Sequence, residues 1–412
     1  MKTDIDSLMQ ANDIDALLVT GAGQHNPAMV YLTGGGHLTT ADLIKLRGQP
    51  AVLFHQDMER DEAARTGLAT RNLAAYPMAE LLQQAGGDAM QAAALRYLRM
   101  FNDVGLTKGK VALYGKMDAG SAWALFSALQ KAAPDLTLIG EGNRSILLQA
   151  MATKDLSEVE RIRRMGKITT GVVGQVADFL SSHSTRDEIL IKTDGEPLTI
   201  GEVKRQINRW LTDAGADNPE GTIFAIGYDA AIPHSTGTAS DFLRLGQTIV
   251  FDIFPSEPGG GYFYDFTRTW CLGYAPDEIW KLYEDVQFVF QTILANMQAG
   301  TSTRQHMEHA CQLFEARGYP TQLNQPQTQR GFVHGLGHGL GLHIHENPRM
   351  GLQTSPEEIL QPGAVVTLEP GLYEPEQKMG VRIEDTIWIR QDGQPEILAE
   401  FPYDLVLPVK KA

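Results

Sequence analysis

At 412 residues the chain is too long for one ordinary core; about 150 residues per domain gives two or three domains. Hydrophobic residues make up 43 %, ordinary for a globular protein, and no run of about 18 apolar residues marks a membrane span. The net charge of −15, from 35 basic and 50 acidic side chains, argues against a nucleic-acid partner, because phosphate binding needs a basic stripe. The first ten residues carry acids where a secretory leader needs an apolar stretch, so the expected location is cytoplasmic. Cys271 and Cys311 lie outside any CxxC spacing and are expected to be reduced thiols rather than a zinc knuckle.

Residues 1–150 alternate between helical and strand patterns. Ile5 to Ala11 predicts a short helix, Asp15 to Thr20 a strand and Ala51 to Phe54 a second strand. A long helical zone follows from Met78 to Phe101, then a strand at Lys110–Tyr114, a helix at Ala119–Ala133 and a strand at Leu136–Ile139. Strands alternating with helices predict an α/β layer on a mostly parallel sheet. A second domain, 151–412, begins near Met151. There Asp155 and Glu158 have the spacing of a capping box, and Val159, Ile162 and Met165, extended by Ile168, form one apolar helical face. Another helix is expected over Ile200–Ala214. From Thr222 the pattern is mostly strands, with helices at Glu278–Met297 and Thr303–Ala316. Asp194-Gly-Glu-Pro reads as a surface turn or small insertion.

The chemistry concentrates in this second half. Four of the eleven histidines (His334, His338, His343 and His345) fall within twelve residues, interleaved with glycine. Imidazole is a common metal ligand and the proton carrier of neutral pH. The glycines make a helix improbable there, so His334 and His338 are not a helical zinc motif. Carboxylates stand at or beside four strand-like stretches: Asp252 after an apolar run, Asp265 in Tyr-Asp-Phe-Thr-Arg-Thr, Glu369 before Pro370-Gly371, and Glu384 in an alternating segment from Val381 to Ile389. A hairpin through Pro258-Gly-Gly-Gly would bring Asp252 and Asp265 together; a salt bridge with Arg268 is the competing use of Asp265. In the alternating segment Arg382, Glu384 and Thr386 share one face.

The set makes physical sense as a whole. Burying a carboxylate is costly unless it is paired or metal-bound. Four carboxylates balance two divalent cations, and oxygen-rich ligation with one imidazole suits manganese first, with cobalt, zinc or iron as alternatives. Two such ions can lower the pKa of a bridging water and polarise a carbonyl, which equips a site for amide hydrolysis without a covalent intermediate. No nucleophile elbow of the GxSxG type is present.

The strings FDIF, YDFTRTW, HGLGHGLGL, TLEPGLY and VRIEDT resemble, in order and context, those of the pita-bread metallopeptidases: methionine aminopeptidase, aminopeptidase P, prolidase and creatinase. The likeness spans roughly residues 155–405, and the first 150 residues are more loosely similar to the creatinase/prolidase N-terminal domain. The resemblance implies an α/β N-terminal domain and an α+β pita-bread catalytic domain. It implies that Asp265 and Glu384 bridge two metals, that Asp252 binds one, and that His338 and Glu369 bind the other. Glu369 would also shuttle a proton, and His345 would help stabilise the tetrahedral intermediate. His234 and His334 would line the pocket, His234 with a catalytic part. Arg382 would stand near the metals, able to meet a substrate carboxylate in fork geometry. The implied reaction is hydrolysis of Xaa-Pro peptide bonds in a proline-containing peptide substrate, by a homodimer in which one N-terminal domain borders the other subunit's site.

The chain departs from the family pattern in three places. Thirteen residues separate Asp252 and Asp265, more than is usual, through an expanded turn from Ser256 to Tyr262. The stretch from Glu188 to Val203 is long, and His343 has no counterpart. Two other readings compete: a creatinase-like hydrolase of a non-peptide C–N bond, and a non-catalytic binding protein on the same fold. Members of both kinds commonly lose metal ligands, whereas all five stand here.

Overall fold

Capped helices and apolar strand runs assemble the chain into two units in the computed structural model, which describes residues 4–142 and 145–410. One unit is Met1–Met151 with Gly259–Gly261; the other is Ala152–Pro258 with Tyr262–Ala412.

The first unit contains helices α1 (Ile5–Ala11), α2 (Pro27–Thr33), α3 (Arg60–Arg65), α4 (Met78–Gln84), α5 (Ala89–Asp103), α6 (Ala119–Ala132) and α7 (Ile146–Met151). Its strands β1 (Ala16–Ala22), β2 (Thr40–Leu46), β3 (Val52–His55), β4 (Ala69–Asn72), β5 (Gly109–Lys116) and β6 (Leu136–Gly140) form one sheet in the order β4-β3-β2-β1-β5-β6. Three of the five pairings are parallel, and β2 alone is reversed, antiparallel to both β1 and β3, so the sheet is mostly parallel with one strand turned against the rest. The helical zone from Met78 to Phe101 is two helices, broken at Gly86 and Gly87, which both take positive φ.

The second unit begins with α8 (Leu156–Ser181), whose N-terminus carries the complete Asp155–Glu158 capping box. Val159, Ile162 and Met165 are buried as their spacing requires, but Thr169 continues the buried face where Ile168 was expected, and Ile168 is half-buried. Strands β7 (Ser184–Arg186) and β8 (Ile189–Ile191) pair with each other, and α9 (Ile200–Asp213) follows. A four-stranded sheet joins β9 (Thr222–Ile226), β10 (Thr248–Ile253), β11 (Phe266–Leu272) and β19 (Val406–Leu407) in the order β19-β11-β10-β9. A five-stranded sheet orders β13 (Glu346–Met350), β12 (Gly337–Gly339), β14 (Val365–Leu368), β17 (Asp385–Ile389) and β18 (Pro395–Ile397). A separate hairpin pairs β15 (Gly371–Glu374) with β16 (Met379–Arg382).

Helices α10 (Asp277–Leu294) and α11 (Thr303–Glu315) supply one wall of the core. Leu282, Val286, Val289, Phe290 and Ile293 on α10, and Met307, Ala310, Cys311 and Phe314 on α11, recur at helical spacing and pack with buried Val366, Leu368, Val381 and Ile387 of the strands. Cys271 and Cys311 are both buried free thiols.

One expected strand is in fact two. The alternating segment from Val381 to Ile389 leaves the β15–β16 hairpin after Arg382 and enters the five-stranded sheet at Asp385. Glu384 lies in the step between them, bridged to Thr267 of β11. Both faces there are buried, Val381, Ile383 and Ile387 in the core with α10 and α11, and Arg382 and Glu384 against a cavity.

Candidate metal centre

The β10–β11 hairpin pairs Asp252 with Thr267, which sets Asp252 at one strand end and Asp265 just ahead of the other. Glu369 follows β14, His338 is the middle residue of β12, and Glu384 sits at the sheet-to-sheet step. These five side chains, with His234, His334, His345 and Arg382, all line one cavity of about 560 Å³. His343 is not among its lining residues; its backbone N donates to Glu346 instead.

Ligand atoms of Asp265, His338 and Glu384 lie within 4.8 Å of one another. His338 Nε2 is 3.6 Å from Asp265 Oδ2 and 3.5 Å from Glu369 Oε1. The carbonyl of Gly339, 3.0 Å from His338 Nδ1, can only accept, so the Nδ1 proton is fixed and Nε2 turns its lone pair toward the carboxylates. Burial, with His345 close by, pushes the His338 pKa down to about 3, so the ring does not supply a second proton near neutral pH. Burial first, and then the charges of Asp252 and Glu369, holds the Asp265 carboxyl well above its ordinary range. Burial and the Asp265 charge do the same to Glu384. Glu369 is pushed up to about 7 by burial and by Asp252, against the opposing pull of Arg382.

This donor set fits hard cations. Oδ1 of Asp252 and Oδ1 of Asp265 are buried and meet no donor among the described residues. A lone pair facing two carboxylate oxygens at about 3.5 Å is repulsive without a cation between them. Ionised, the four carboxyls and the Arg382 guanidinium set among them would carry a formal charge of −3. Divalent metal relieves all three conditions at once.

Arg382 is wired inward. Nη2 donates to Asp252 Oδ2 at 2.5 Å, Nη1 to Tyr373 OH at 2.8 Å and to Pro233 O at 3.2 Å, and Nε to Thr267 Oγ1 at 3.2 Å. Burial opposes its charge, but Tyr373, Asp252, Glu384 and Glu369 together hold it firmly protonated. Arg268, the sequence alternative as partner for Asp265, instead pairs with buried Asp385 at 2.9 Å.

Several contributors were not singled out from the sequence. Thr267 Oγ1 donates to Glu384 Oε2 at 2.6 Å, and it stands two residues after Asp265 on the same strand face. Tyr373 OH receives Arg382 and lies 3.0 Å from His334 Nε2. His334 Nδ1 donates to Gly335 O, so its Nε2 accepts from Tyr373. Burial and Arg382 push His334 down to about 3, which keeps it neutral. Arg349 lines the cavity directly across the strand pair from His338 and is exposed. The period-2 pattern was the available signal for Thr267; Arg349 had none beyond its place four residues after His345.

Residues 160–391, more than half of the chain, match the profile of metallopeptidase family M24. The chain belongs to that family. Among curated M24-like relatives, the Xaa-Pro dipeptidase of Pyrococcus furiosus is 33 % identical over 194 residues, covering 47 % of this chain and 51 % of the relative. An uncharacterized peptidase of Bacillus subtilis, YqhT, is 33 % identical over 208 residues, covering 50 % of this chain and 54 % of the relative. The chain thus spans about half the length of the curated relatives it matches. Solved structures extend the likeness of fold. A dipeptidase from Pyrococcus horikoshii superposes with a TM-score of 0.73 at 21 % identity, covering 98 % of both chains. An X-Pro aminopeptidase from Thermotoga maritima superposes with a TM-score of 0.73 at 23 % identity, covering 96 % of this chain and 97 % of the other. The mixed α and β architecture of M24 peptidases is therefore the architecture of this chain. Among the described residues no helix is long and apolar enough to cross a membrane.

Proposed function

We propose that this M24 chain hydrolyses Xaa-Pro peptide bonds with two divalent metal ions, manganese first among the candidates. The observation that carries the reading is the neutral Nε2 of His338 facing Asp265 and Glu369, within a cluster that holds unpartnered oxygens of Asp252 and Asp265. Asp252, Asp265, His338, Glu369 and Glu384 would hold the ions. When bound, the pair supplies a water of lowered pKa and polarisation of the scissile carbonyl.

The remaining work falls to the chain's own side chains. Glu369, at 19 % side-chain exposure more open than neighbouring His338, would take the proton of the attacking water and pass it to the departing proline nitrogen. His345, exposed at the cavity and stacked edge-on to His338 at 4.4 Å between ring centres, would donate to the oxyanion as it develops. His234 borders the same cavity, next to Pro233, whose carbonyl accepts from Arg382. Neutral His334 would form part of the wall against the proline ring. Because the Arg382 donors point inward, exposed Arg349 is the better partner for the terminal carboxylate of a short peptide. That favours dipeptides over longer substrates.

The names of the curated relative in Pyrococcus furiosus and of the Thermotoga maritima structure support the Xaa-Pro preference. Their near full-length superposition supports taking the first unit as a creatinase/prolidase-like N-terminal domain. A homodimer is part of the same reading, and light scattering at the monomer mass would remove it. The main test is turnover of Xaa-Pro dipeptides against Xaa-Pro-Yaa tripeptides with added manganese. Cleavage of neither overturns the reading, and cleavage of tripeptides alone moves the assignment to an aminopeptidase.

A further inference from the structure

One buried ion pair has no part in the chemistry above. Lys154 Nζ lies 2.6 Å from Glu346 Oε2, and both side chains are 1 % exposed. Such a pair is weak evidence for stability, since stripping water from both charges offsets much of their attraction. Its surroundings give it another use. Glu346 Oε1 accepts from His343 N at 3.1 Å. The carboxylate also rests against Gly341, where a Cβ would fall 2.6 Å from either oxygen, so a larger residue there would displace the carboxylate. Gly341 N donates to His343 O at 3.1 Å, and Phe263 N donates to Gly341 O at 2.8 Å. Lys154 is fixed from its own side: its N donates to Gly363 O at 2.7 Å, and Asp155 next to it caps α8. Glu346 immediately follows His345, whose ring stands 4.4 Å from that of His338. The turn from Gly341 to Glu346 is therefore built around one carboxylate, and that carboxylate is held by a lysine from a distant part of the chain.

We propose that Lys154 and Glu346 are positioning residues for His345, locking the turn that carries its imidazole to the reacting carbonyl. The proposal rests on the peptidase reading, in which His345 steadies the oxyanion. Neither residue lines the cavity, so both act through the turn alone. A small displacement of an oxyanion donor costs rate rather than substrate affinity.

The double variant Lys154→Met/Glu346→Gln tests this. It removes both charges at nearly constant volume and keeps an amide oxygen for His343 N; folds tolerate loss of both charges better than loss of one. The expected result is a fall in kcat of about tenfold or more on an Xaa-Pro dipeptide, with KM and bound metal near those of the wild type. In a His345→Ala background the same pair of changes should add no further loss. A crystal structure of the double variant should show the His345 ring moved away from His338. Wild-type kcat, a loss that adds in full to that of His345→Ala, or an unmoved His345 ring would each overturn the proposal. Should the double variant not fold, Glu346→Gln alone is read by the same measurements. If the wild type cleaves no Xaa-Pro peptide, the peptidase reading fails, and the crystallographic comparison still decides the positioning claim.

Discussion

Arg382 and Asp252 meet inside the site, with Nη2 2.5 Å from Oδ2 and the arginine only 3 % exposed. The buried guanidinium is set among four carboxylates, and it also holds Tyr373, Thr267 and the carbonyl of Pro233. Arg382→Met leaves the acids unopposed, and the metal-free variant should lose about 3 kcal/mol of stability. Added manganese should restore part of that loss. Arg382→Lys keeps the charge but cannot serve Asp252 and Tyr373 together, so it should keep most of the stability and lose about tenfold or more in kcat/KM. Urea titrations with and without metal, alongside rates, check both. A fully active lysine variant would show that the fork geometry is unimportant.

Metal removal should leave a protein whose stability falls as pH rises. The Glu369 carboxyl is held up to about 7, and Asp265 and Glu384 are held well above their ordinary range. A carboxyl with a raised folded pKa binds its proton more tightly in the native state. Its contribution is complete below the unfolded value of about 4.3 and is lost as pH climbs through the folded value. For Glu369 this amounts to about 3 kcal/mol at most. Metal replaces those protons, so the stability gained on loading manganese should grow between pH 5 and pH 8. Groups away from the site cancel in that difference. A metal-induced gain that is flat with pH would mean that the carboxylates do not share one buried cluster.

The candidate ligand positions were legible as a set, the carboxylates because each stands in or beside a strand-like run and His338 because it falls in a glycine-rich run of four histidines. Strand β2 was not, because Asp42 and Lys45 interrupt its pattern. Their charges are met by tertiary partners: Asp42 accepts from Thr20 at 2.5 Å and Tyr97 at 2.6 Å, and Lys45 donates to Asp6 at 2.5 Å as well as to the neighbouring Leu46 carbonyl. Missing β2 also hid the one reversed strand in an otherwise parallel sheet. The step from β16 to β17 was hidden for a different reason. Alternation runs on unbroken through Ile383 and Glu384, and only the two sheets on either side reveal that the chain changes partners there. The inward wiring of Arg382 was likewise unreadable, since a sequence gives the residue but not the direction of its five donors. The Gly86-Gly87 break in the helical zone, by contrast, was in plain view.

His306 gives a second pH dependence, of opposite sign and far in sequence from the metal ligands. It is 6 % exposed, and its Nε2 lies 2.7 Å from Thr301 Oγ1. Thr301 Oγ1 already donates to Gln298 O at 2.6 Å, so it accepts from the His306 ring. Burial, with the charge of His309 behind it, pushes the His306 pKa down to about 4. The unfolded chain takes up a proton near pH 6.5 that the native state refuses. Stability from this residue is therefore complete above pH 6.5 and is lost as pH falls toward 4, by about 3 kcal/mol at most. His306→Gln should flatten that part of the stability profile in urea titrations. An unchanged slope between pH 6.5 and pH 4 would place the titrating group elsewhere.

Two glycine substitutions separate a packing requirement from a weak helix position. At Gly337, one residue before His338, a Cβ would sit 2.1 Å from Thr367 O and 2.5 Å from the Met350 side chain. Backbone cannot yield there without moving β12 away from β14, and His338 moves with it. Gly337→Ala should therefore weaken manganese binding and lower activity by about tenfold or more, as a one-ångström shift of a ligand does. Gly171 lies mid-way along α8, is exposed, and has nothing within 4 Å of the Cβ position. Gly171→Ala reduces the freedom of the unfolded chain without a clash, so it should add about 0.5–1 kcal/mol of stability and leave the rate unchanged. Metal titration and thermal melts of the two variants make the comparison. Equal metal affinity in Gly337→Ala and the wild type would show that β12 can give way without disturbing His338.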